Sequence, residues 1–153
     1  MKNKLRILIA EDHETVREGF RLIVQAFRLI VQAQEDMEVV GCAGDGRSAV
    51  ELARALQPDI VLMDISMPEL NGLLAAAKLK RIAPEIKILT LTRHTDTAYL
   101  SELLQAGVCG YVLKQSAPDE LIRAIRAVAN GGNYLDPAIT NKVFAGYAER
   151  QNG

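Results

Sequence analysis

Three acidic residues follow short apolar runs, in positions that could bring their carboxylates together. Glu11 and Asp12 come directly after a run that ends at Ala10, and Asp64 ends another such run. If both runs are neighbouring parallel strands, their carboxyl ends meet at one edge of a sheet. Carboxylates crowded at one edge repel each other, and a hard divalent cation relieves that repulsion. These acids therefore predict a Mg²⁺ site, although Asp12 taken alone fits equally well as a helix N-cap.

A hydroxyl and an ammonium group occupy matching positions further along the chain. Thr92 follows an apolar run that begins at Ile88, and Lys114 follows one that begins at Gly110. A phosphoryl group passing onto an aspartate spreads negative charge over three oxygens, which a cation, a hydroxyl donor and a metal stabilise. Either residue alone is more often an ordinary surface or strand-end residue. Because both fall at strand ends with Asp64, the set indicates phosphoryl transfer onto that carboxylate.

The elements that must hold these side chains alternate regularly along the chain. Runs rich in Val, Ile and Leu predict strands that are buried on both faces: Leu5–Ala10, Glu38–Ala43, Asp59–Met63, Ile86–Leu91 and Cys109–Leu113. The segments that follow these runs have apolar residues at spacings of three and four, which predicts amphipathic helices. The last helix should end at Asn130-Gly131-Gly132, a typical C-terminal cap. Five such alternations predict an α/β fold with a parallel sheet covered by helices on both faces.

An exact tandem repeat of seven residues lies in the first predicted helix. Residues 20–26 read Phe-Arg-Leu-Ile-Val-Gln-Ala, and residues 27–33 repeat them. Seven residues turn a helix through about 700°, so the apolar face stays nearly in phase while the helix grows by roughly 10 Å. Residues 34–37 alone then separate it from the second strand. Two hypotheses follow: the helix simply grows at an exposed end, or the second strand cannot reach its own sheet and is exchanged between two copies.

The overall composition is typical of one ordinary domain. The chain has 153 residues, of which 49% are hydrophobic and 24% charged, and its formal net charge is −1. This balance does not favour binding to nucleic acid or to an anionic membrane. Cys42 and Cys109 lack the spacing of a disulfide framework or a metal site, so we expect both thiols to be reduced and buried. The first apolar run is too short for a signal peptide or a membrane span, so we expect a cytoplasmic protein.

Together these motifs resemble the receiver domain of two-component response regulators, the CheY-like family, from residue 4 to about residue 130. By that resemblance Glu11 and Asp12 are the acidic metal-binding pair and Asp64 is the phosphorylated aspartate. The resemblance implies a flavodoxin-like (βα)5 fold with strand order 2-1-3-4-5. It also implies Mg²⁺ as the cofactor and a histidine kinase, or a small acyl phosphate, as the phosphoryl donor. Such a domain catalyses the transfer and the later hydrolysis on itself and is not otherwise an enzyme.

The same resemblance assigns roles to further residues. Thr92 matches the family's switch hydroxyl, and Tyr111 matches its switch aromatic. Lys114 matches the lysine that contacts the phosphoryl group. Ser66 matches the position whose backbone carbonyl completes the metal shell, and Ser66 and His94 match positions that modulate dephosphorylation.

The segment after residue 130 resembles the stretch that leads out of receivers in transcriptional regulators of the NarL/LuxR type. It reads Gly-Gly-Asn-Tyr-Leu-Asp-Pro over residues 131–137. The resemblance implies a receiver over residues 1–130 and a linker or helix over 131–153 that leads toward a helix-turn-helix domain not contained in this sequence. The expected partners are a sensor histidine kinase and a second copy of the chain, with DNA bound only through that further domain and no membrane contact.

Three other classes of protein compete with this interpretation. An aspartyl-phosphate hydrolase also uses an aspartate after a parallel strand, but it expects a second acid where Ser66 stands and a cap domain for which the chain is too short. A dinucleotide-binding domain requires G-x-G-x-x-G after the first strand, and that motif does not occur there. The third alternative is a receiver-shaped dimerisation module, domain-swapped through the repeat and impaired in phosphorylation.

Overall fold

Strands and helices alternate through the residues described by the computed structural model, which are 4–10, 28–64, 71–92, 97–113 and 118–140. The strands of this part are β1 (Leu5–Ala10), β2 (Met37–Ala43), β3 (Ile60–Asp64), β4 (Lys87–Thr92), β5 (Gly110–Leu113) and β6 (Tyr134–Leu135). The helices are α1, described over residues 28–32, α2 (Gly46–Leu56), α3 (Asn71–Ile82), α4 (Thr97–Gln105) and α5 (Pro118–Ala129). A short helical turn covers residues 137–140.

The described strands form one sheet in the order β2-β1-β3-β4-β5-β6, and every neighbouring pair is parallel. The predicted α/β fold and the order of its first five strands are therefore confirmed. β6 was not predicted, because two residues are too few to carry a recognisable pattern. It forms where the Tyr134 N–H donates to the Cys109 carbonyl, at 3.0 Å, and so extends the sheet beyond β5.

Helices cover both faces of this sheet, as the alternation predicted. On one face α2, α3 and α4 pack on a cluster that includes Leu8, Val61, Ile88 and Tyr111. On the other face α5 and the described part of α1 pack on Ile7, Leu62, Leu89 and Val112. Because both faces are buried, nearly every residue of the central strands is apolar, and the exceptions occur mainly at the strand ends.

The described part of α1 lies in the second copy of the repeat, and a short turn connects it to β2. Val31 is buried against the sheet while Leu29 is exposed, so this copy presents one apolar side to the core. β2 pairs in parallel with β1 of the same chain, and the Leu5 N–H donates to the Asp36 carbonyl at 2.8 Å. In this chain β2 therefore pairs with its own sheet, and exchange of β2 between two copies stays a prediction. The first copy, residues 20–26, lies outside the described residues.

A glycine cap ends α5 and turns the chain back toward the sheet. The Gly131 N–H donates to the Val128 carbonyl and the Gly132 N–H to the Ala127 carbonyl, both at 3.0 Å, which is the pairing of a Schellman motif. Gly131 has φ +89°, a left-handed conformation that side chains other than glycine rarely adopt. The predicted end of this helix at Asn130-Gly131-Gly132 is thus confirmed, and the cap places β6 directly after α5.

The prediction that both cysteines are buried is wrong. Cys42 is exposed and Cys109 is only partly buried, and neither forms a disulfide. Cys42 lies in β2, which is an edge strand of the described sheet, so its neighbourhood is covered less completely than that of a central strand. None of the described helices is long and apolar enough to cross a bilayer.

Candidate functional site

Asp64 is a buried acid at the carboxyl end of a central strand. It is the last residue of β3, in which every residue is buried, and it is only 5% exposed. Its register partner on β4 is Leu91, while Met63 pairs with Ala10 at the end of β1. Burying a carboxylate costs free energy that an apolar residue would not cost. A break of this kind in the apolar pattern, at the end where parallel sheets bind ligands, makes Asp64 a candidate functional residue.

Thr92 lies beside Asp64 on the neighbouring strand. It is the last residue of β4, one position beyond Leu91, and it is fully buried. The sheet therefore places a carboxylate and a hydroxyl at the carboxyl ends of two adjacent strands, which is the edge at which the order of the apolar runs predicted them.

Tyr111 lies on β5 with its ring buried in the core. It pairs with Thr90, whose hydroxyl donates to the Gly110 carbonyl at 2.9 Å. Side chains alternate between the faces of a sheet along a strand, so Thr90, Thr92 and Tyr111 share one face. Tyr111 also belongs to the buried cluster that contains Leu103 of α4. Tyr111 therefore lies on the face of the sheet that α4 covers.

The remaining predicted site residues lie outside the described part of the chain: Glu11, Asp12, Ser66, His94 and Lys114. The structure does describe the residues that directly precede two of them, Glu11 and Lys114. β1 ends at Ala10, which precedes Glu11, and β5 ends at Leu113, which precedes Lys114 and pairs with Thr92. Within the described residues no group of three or more acidic, histidine or cysteine side chains could hold a metal ion. The Mg²⁺ site accordingly depends on Glu11 and Asp12 and stays a prediction.

Sequence reasoning missed one buried acid near this edge, Asp136. It follows β6 and is 2% exposed. Its Oδ2 accepts a hydrogen bond from the Leu113 N–H at 3.1 Å, and its Oδ1 accepts one from the Ala138 N–H at 3.0 Å. The Asp136-Pro137 pair could have indicated an N-cap with proline at the first helical position. The contact with β5 could not have been found, because its partners are 23 residues apart in the chain.

The carboxylate of Asp45 has a pKa that is lowered by its local hydrogen bonds. Asp45 precedes α2 as its N-cap, and its Oδ1 accepts a hydrogen bond from the Ser48 N–H at 2.7 Å. That backbone bond is the main reason why the pKa of Asp45 lies below its usual value. Asp45 is an exposed N-cap, so its charge stabilises the start of α2 and is not part of the candidate site at Asp64.

The chain belongs to the response regulator receiver family, whose model matches residues 7–126. It is 38% identical over 151 residues to the transcriptional regulatory protein DegU of Brevibacillus brevis, covering 99% of this chain and 61% of that protein. It is 41% identical over 140 residues to the oxygen regulatory protein NreC of Staphylococcus carnosus, covering 91% of this chain and 61% of that protein. The chain thus spans about three fifths of the length of these curated relatives.

Solved structures agree with this assignment. A two-component response regulator of the LuxR family from an Aurantimonas species superposes with a TM-score of 0.84 at 29% identity, covering 99% of this chain and 100% of that chain. The isolated receiver domain of RcsB from Salmonella enterica serovar Typhimurium, determined with the phosphomimetic BeF3⁻, superposes with a TM-score of 0.78 at 27% identity, covering 91% and 98%. The fold and the relatives therefore place this chain among receivers of the NarL/LuxR type.

Proposed function

We propose that this chain is a phosphorylation-controlled receiver in which Asp64 accepts a phosphoryl group from a sensor histidine kinase. The observation that carries the proposal is the pair of buried polar residues at adjacent strand ends, Asp64 on β3 and Thr92 on β4. Most residues of the central strands are apolar, and packing alone gives no reason for a carboxylate and a hydroxyl at these two strand ends. Membership of the receiver family supports the same conclusion.

In this proposal one oxygen of Asp64 attacks phosphorus while the bond from phosphorus to the donor breaks, and water later hydrolyses the acyl phosphate. Glu11, Asp12, Asp64 and the backbone carbonyl of Ser66 would hold Mg²⁺, since hard oxygen ligands suit that ion. When bound, the ion neutralises charge on the phosphoryl oxygens. Lys114 pairs with the same group through its ammonium.

The switch in this proposal uses residues that share a face of the sheet. The phosphoryl group attracts the hydroxyl of Thr92, and Tyr111 moves into the space that is vacated. The surface formed by α4, β5 and α5 then changes shape. The common face of Thr92 and Tyr111, and the packing of Tyr111 in the cluster of Leu103, support this route. Ser66 and His94 would set the lifetime of the phosphorylated state.

For the output we propose control of transcription in the cytoplasm. DegU is named a transcriptional regulatory protein, and NreC an oxygen regulatory protein. We infer a homodimer as the active form and DNA binding through a helix-turn-helix domain outside this sequence, with residues 131–153 as the connection to it. The pairing of β6 with β5 means that this connection would begin within the receiver's own sheet.

Intact-mass measurement after incubation with acetyl phosphate and Mg²⁺ tests the proposal. The wild-type chain should gain about 80 Da for one phosphoryl group. Asp64→Asn should abolish the gain, and so should removal of Mg²⁺ with a chelator. Asp59→Asn is the matched control: Asp59 is an exposed acid at the opposite end of β3, so this variant should still gain the mass. A wild-type chain without the gain, or a gain that persists in Asp64→Asn, would refute the proposal.

A further inference from the structure

The carboxylate of Asp136 joins two parts of the fold at the edge of the candidate site. One oxygen accepts the N–H of Leu113, the last residue of β5, and the other accepts the N–H of Ala138 in the following helical turn. Both bonds have ordinary lengths, 3.1 and 3.0 Å. The side chain is almost fully buried, and hydrogen bonds to a charged acceptor are stronger than those between neutral groups.

The bond to Leu113 occupies a particular place in the sheet. Along the outer edge of β5, the Tyr134 N–H donates to the Cys109 carbonyl, and the Asp136 N–H donates to the Tyr111 carbonyl at 2.9 Å. The next group along this edge is the N–H of Leu113. Regular parallel pairing would direct it to the backbone carbonyl of Asp136.

That carbonyl is instead engaged by the helical turn. It accepts the N–H of Ile139 at 2.9 Å and the N–H of Thr140 at 3.0 Å, because the chain stops being extended after β6. The side chain of Asp136 therefore takes over the bond that its own carbonyl would have made. Leu113 is buried, so removing the carboxylate would take away the acceptor of an N–H that lies in the core.

We propose that Asp136 is a positioning residue for phosphoryl transfer, holding the carboxyl end of β5 so that Lys114 meets the phosphoryl group on Asp64. Leu113 is joined to Lys114 by a peptide bond, and it pairs with Thr92 on its other side. The carboxylate of Asp136 thus anchors the outer side of the strand at its last residue. Small displacements of a charge-stabilising group reduce rates strongly, so this anchor contributes to the geometry of the transition state. The inference depends on the phosphorylation proposed above.

The initial rate of mass gain from acetyl phosphate tests the role of Asp136. In Asp136→Asn one of the two oxygens becomes an NH2 donor, so the Leu113 N–H and the Ala138 N–H no longer each have an acceptor oxygen of their own. We expect phosphorylation at least about tenfold slower than in the wild-type chain, which is the low end of the effect of losing one charge-assisted hydrogen bond. In a Lys114→Ala background the same substitution should slow the rate less than about twofold, because the group that it positions is already gone.

Tyr134→Phe is the matched control. The hydroxyl of Tyr134 donates to Glu120, which ties β6 to α5 and not to the end of β5. This variant loosens the same segment and should leave the rate within about twofold of wild type. As a direct check of the anchor, the Leu113 amide should exchange its hydrogen about tenfold faster in Asp136→Asn but not in Tyr134→Phe.

The possible outcomes are distinct. An Asp136→Asn rate equal to wild type, the same slowing with and without Lys114, or an equal slowing in Tyr134→Phe would each overturn the inference while leaving phosphorylation of Asp64 intact. A wild-type chain that gains no mass would defeat the proposed function itself. If Asp136→Asn does not fold, Asp136→Ser retains a cap and takes its place. Failure of both to fold would show that the carboxylate serves stability alone, and the inference would be wrong.

Discussion

Replacing Gly110 with alanine tests how closely β4 and β5 pack beside the candidate site. A Cβ at this position would collide with Cδ1 of Leu89, and it would lie 3.3 Å from Cγ2 of Val128 and 3.4 Å from the Tyr134 carbonyl oxygen. Leu89 and Val128 are fully buried, so their side chains have little room to move aside. The glycine is therefore required by a close approach of neighbouring groups, and its φ is not in the left-handed region.

The expected loss of stability combines two effects. Forcing an extra methyl group into a packed core costs about 1–3 kcal/mol. Alanine at a position with ordinary backbone angles regains about 0.4–1 kcal/mol by restricting the unfolded chain. Gly110→Ala should thus lower the free energy of unfolding by about 1–2 kcal/mol, which for a domain of this size lowers Tm by about 2–4 °C per kcal/mol.

Urea unfolding followed by circular dichroism, in a double-mutant cycle with Leu89→Val, separates the collision from other causes. Leu89→Val removes the colliding methyl group, so Gly110→Ala should cost about 1 kcal/mol less in that background. Gly131→Ala is the control. No atom lies within 4 Å of a Cβ at Gly131, and its cost of about 1 kcal/mol should come from backbone strain and be independent of residue 89. Equal costs of Gly110→Ala in both backgrounds would refute the reasoning.

Two further predictions concern exposed groups. Asp45→Ala should lower the free energy of unfolding by about 1 kcal/mol at pH 7, whereas Asp45→Asn, which still caps α2, should change it much less. Because the Ser48 N–H lowers the pKa of Asp45 in the folded state, the charged cap contributes fully above the unfolded-state pKa and is lost as pH falls through the folded-state pKa. Urea midpoints of wild type and Asp45→Ala should therefore approach each other below about pH 4, and a constant difference would contradict this account. In the native chain Cys42 should react with a thiol reagent faster than Cys109, because Cys42 is more exposed. Equal reaction rates would contradict the exposure of Cys42 on the edge strand β2.

The long strands could be predicted from the sequence because they are buried on both faces. A strand of this kind must be apolar at nearly every position, as in Ile60–Asp64, and that leaves a run that can be read without any knowledge of its neighbours. β6 could not be predicted. It consists of two partly buried residues, and it exists because the cap after α5 delivers Tyr134 to the open side of β5.

The two described polar residues of the site were also predictable in position. Asp64 and Thr92 each end an apolar run, and parallel strands necessarily bring such ends to one edge. The contribution of Asp136 was not predictable, because its contact with Leu113 depends on where the sheet places β6. The exposure of Cys42 likewise depends on β2 being an edge strand, which the apolar run around it does not reveal.

Local patterns of residues along this chain determined the order of the elements, their parallel pairing and the place of Asp64 at a strand end. These patterns, the alternation of elements and the spacing of apolar residues, can each be recognised within a few residues of sequence. Tertiary structure alone decided which groups meet across long stretches of sequence. β2 reaches its own sheet despite the repeat, and the carboxylate of Asp136 replaces a backbone acceptor for Leu113. The physical reason is that a hydrogen bond between distant segments depends on how whole elements pack, and no short window of sequence contains both partners.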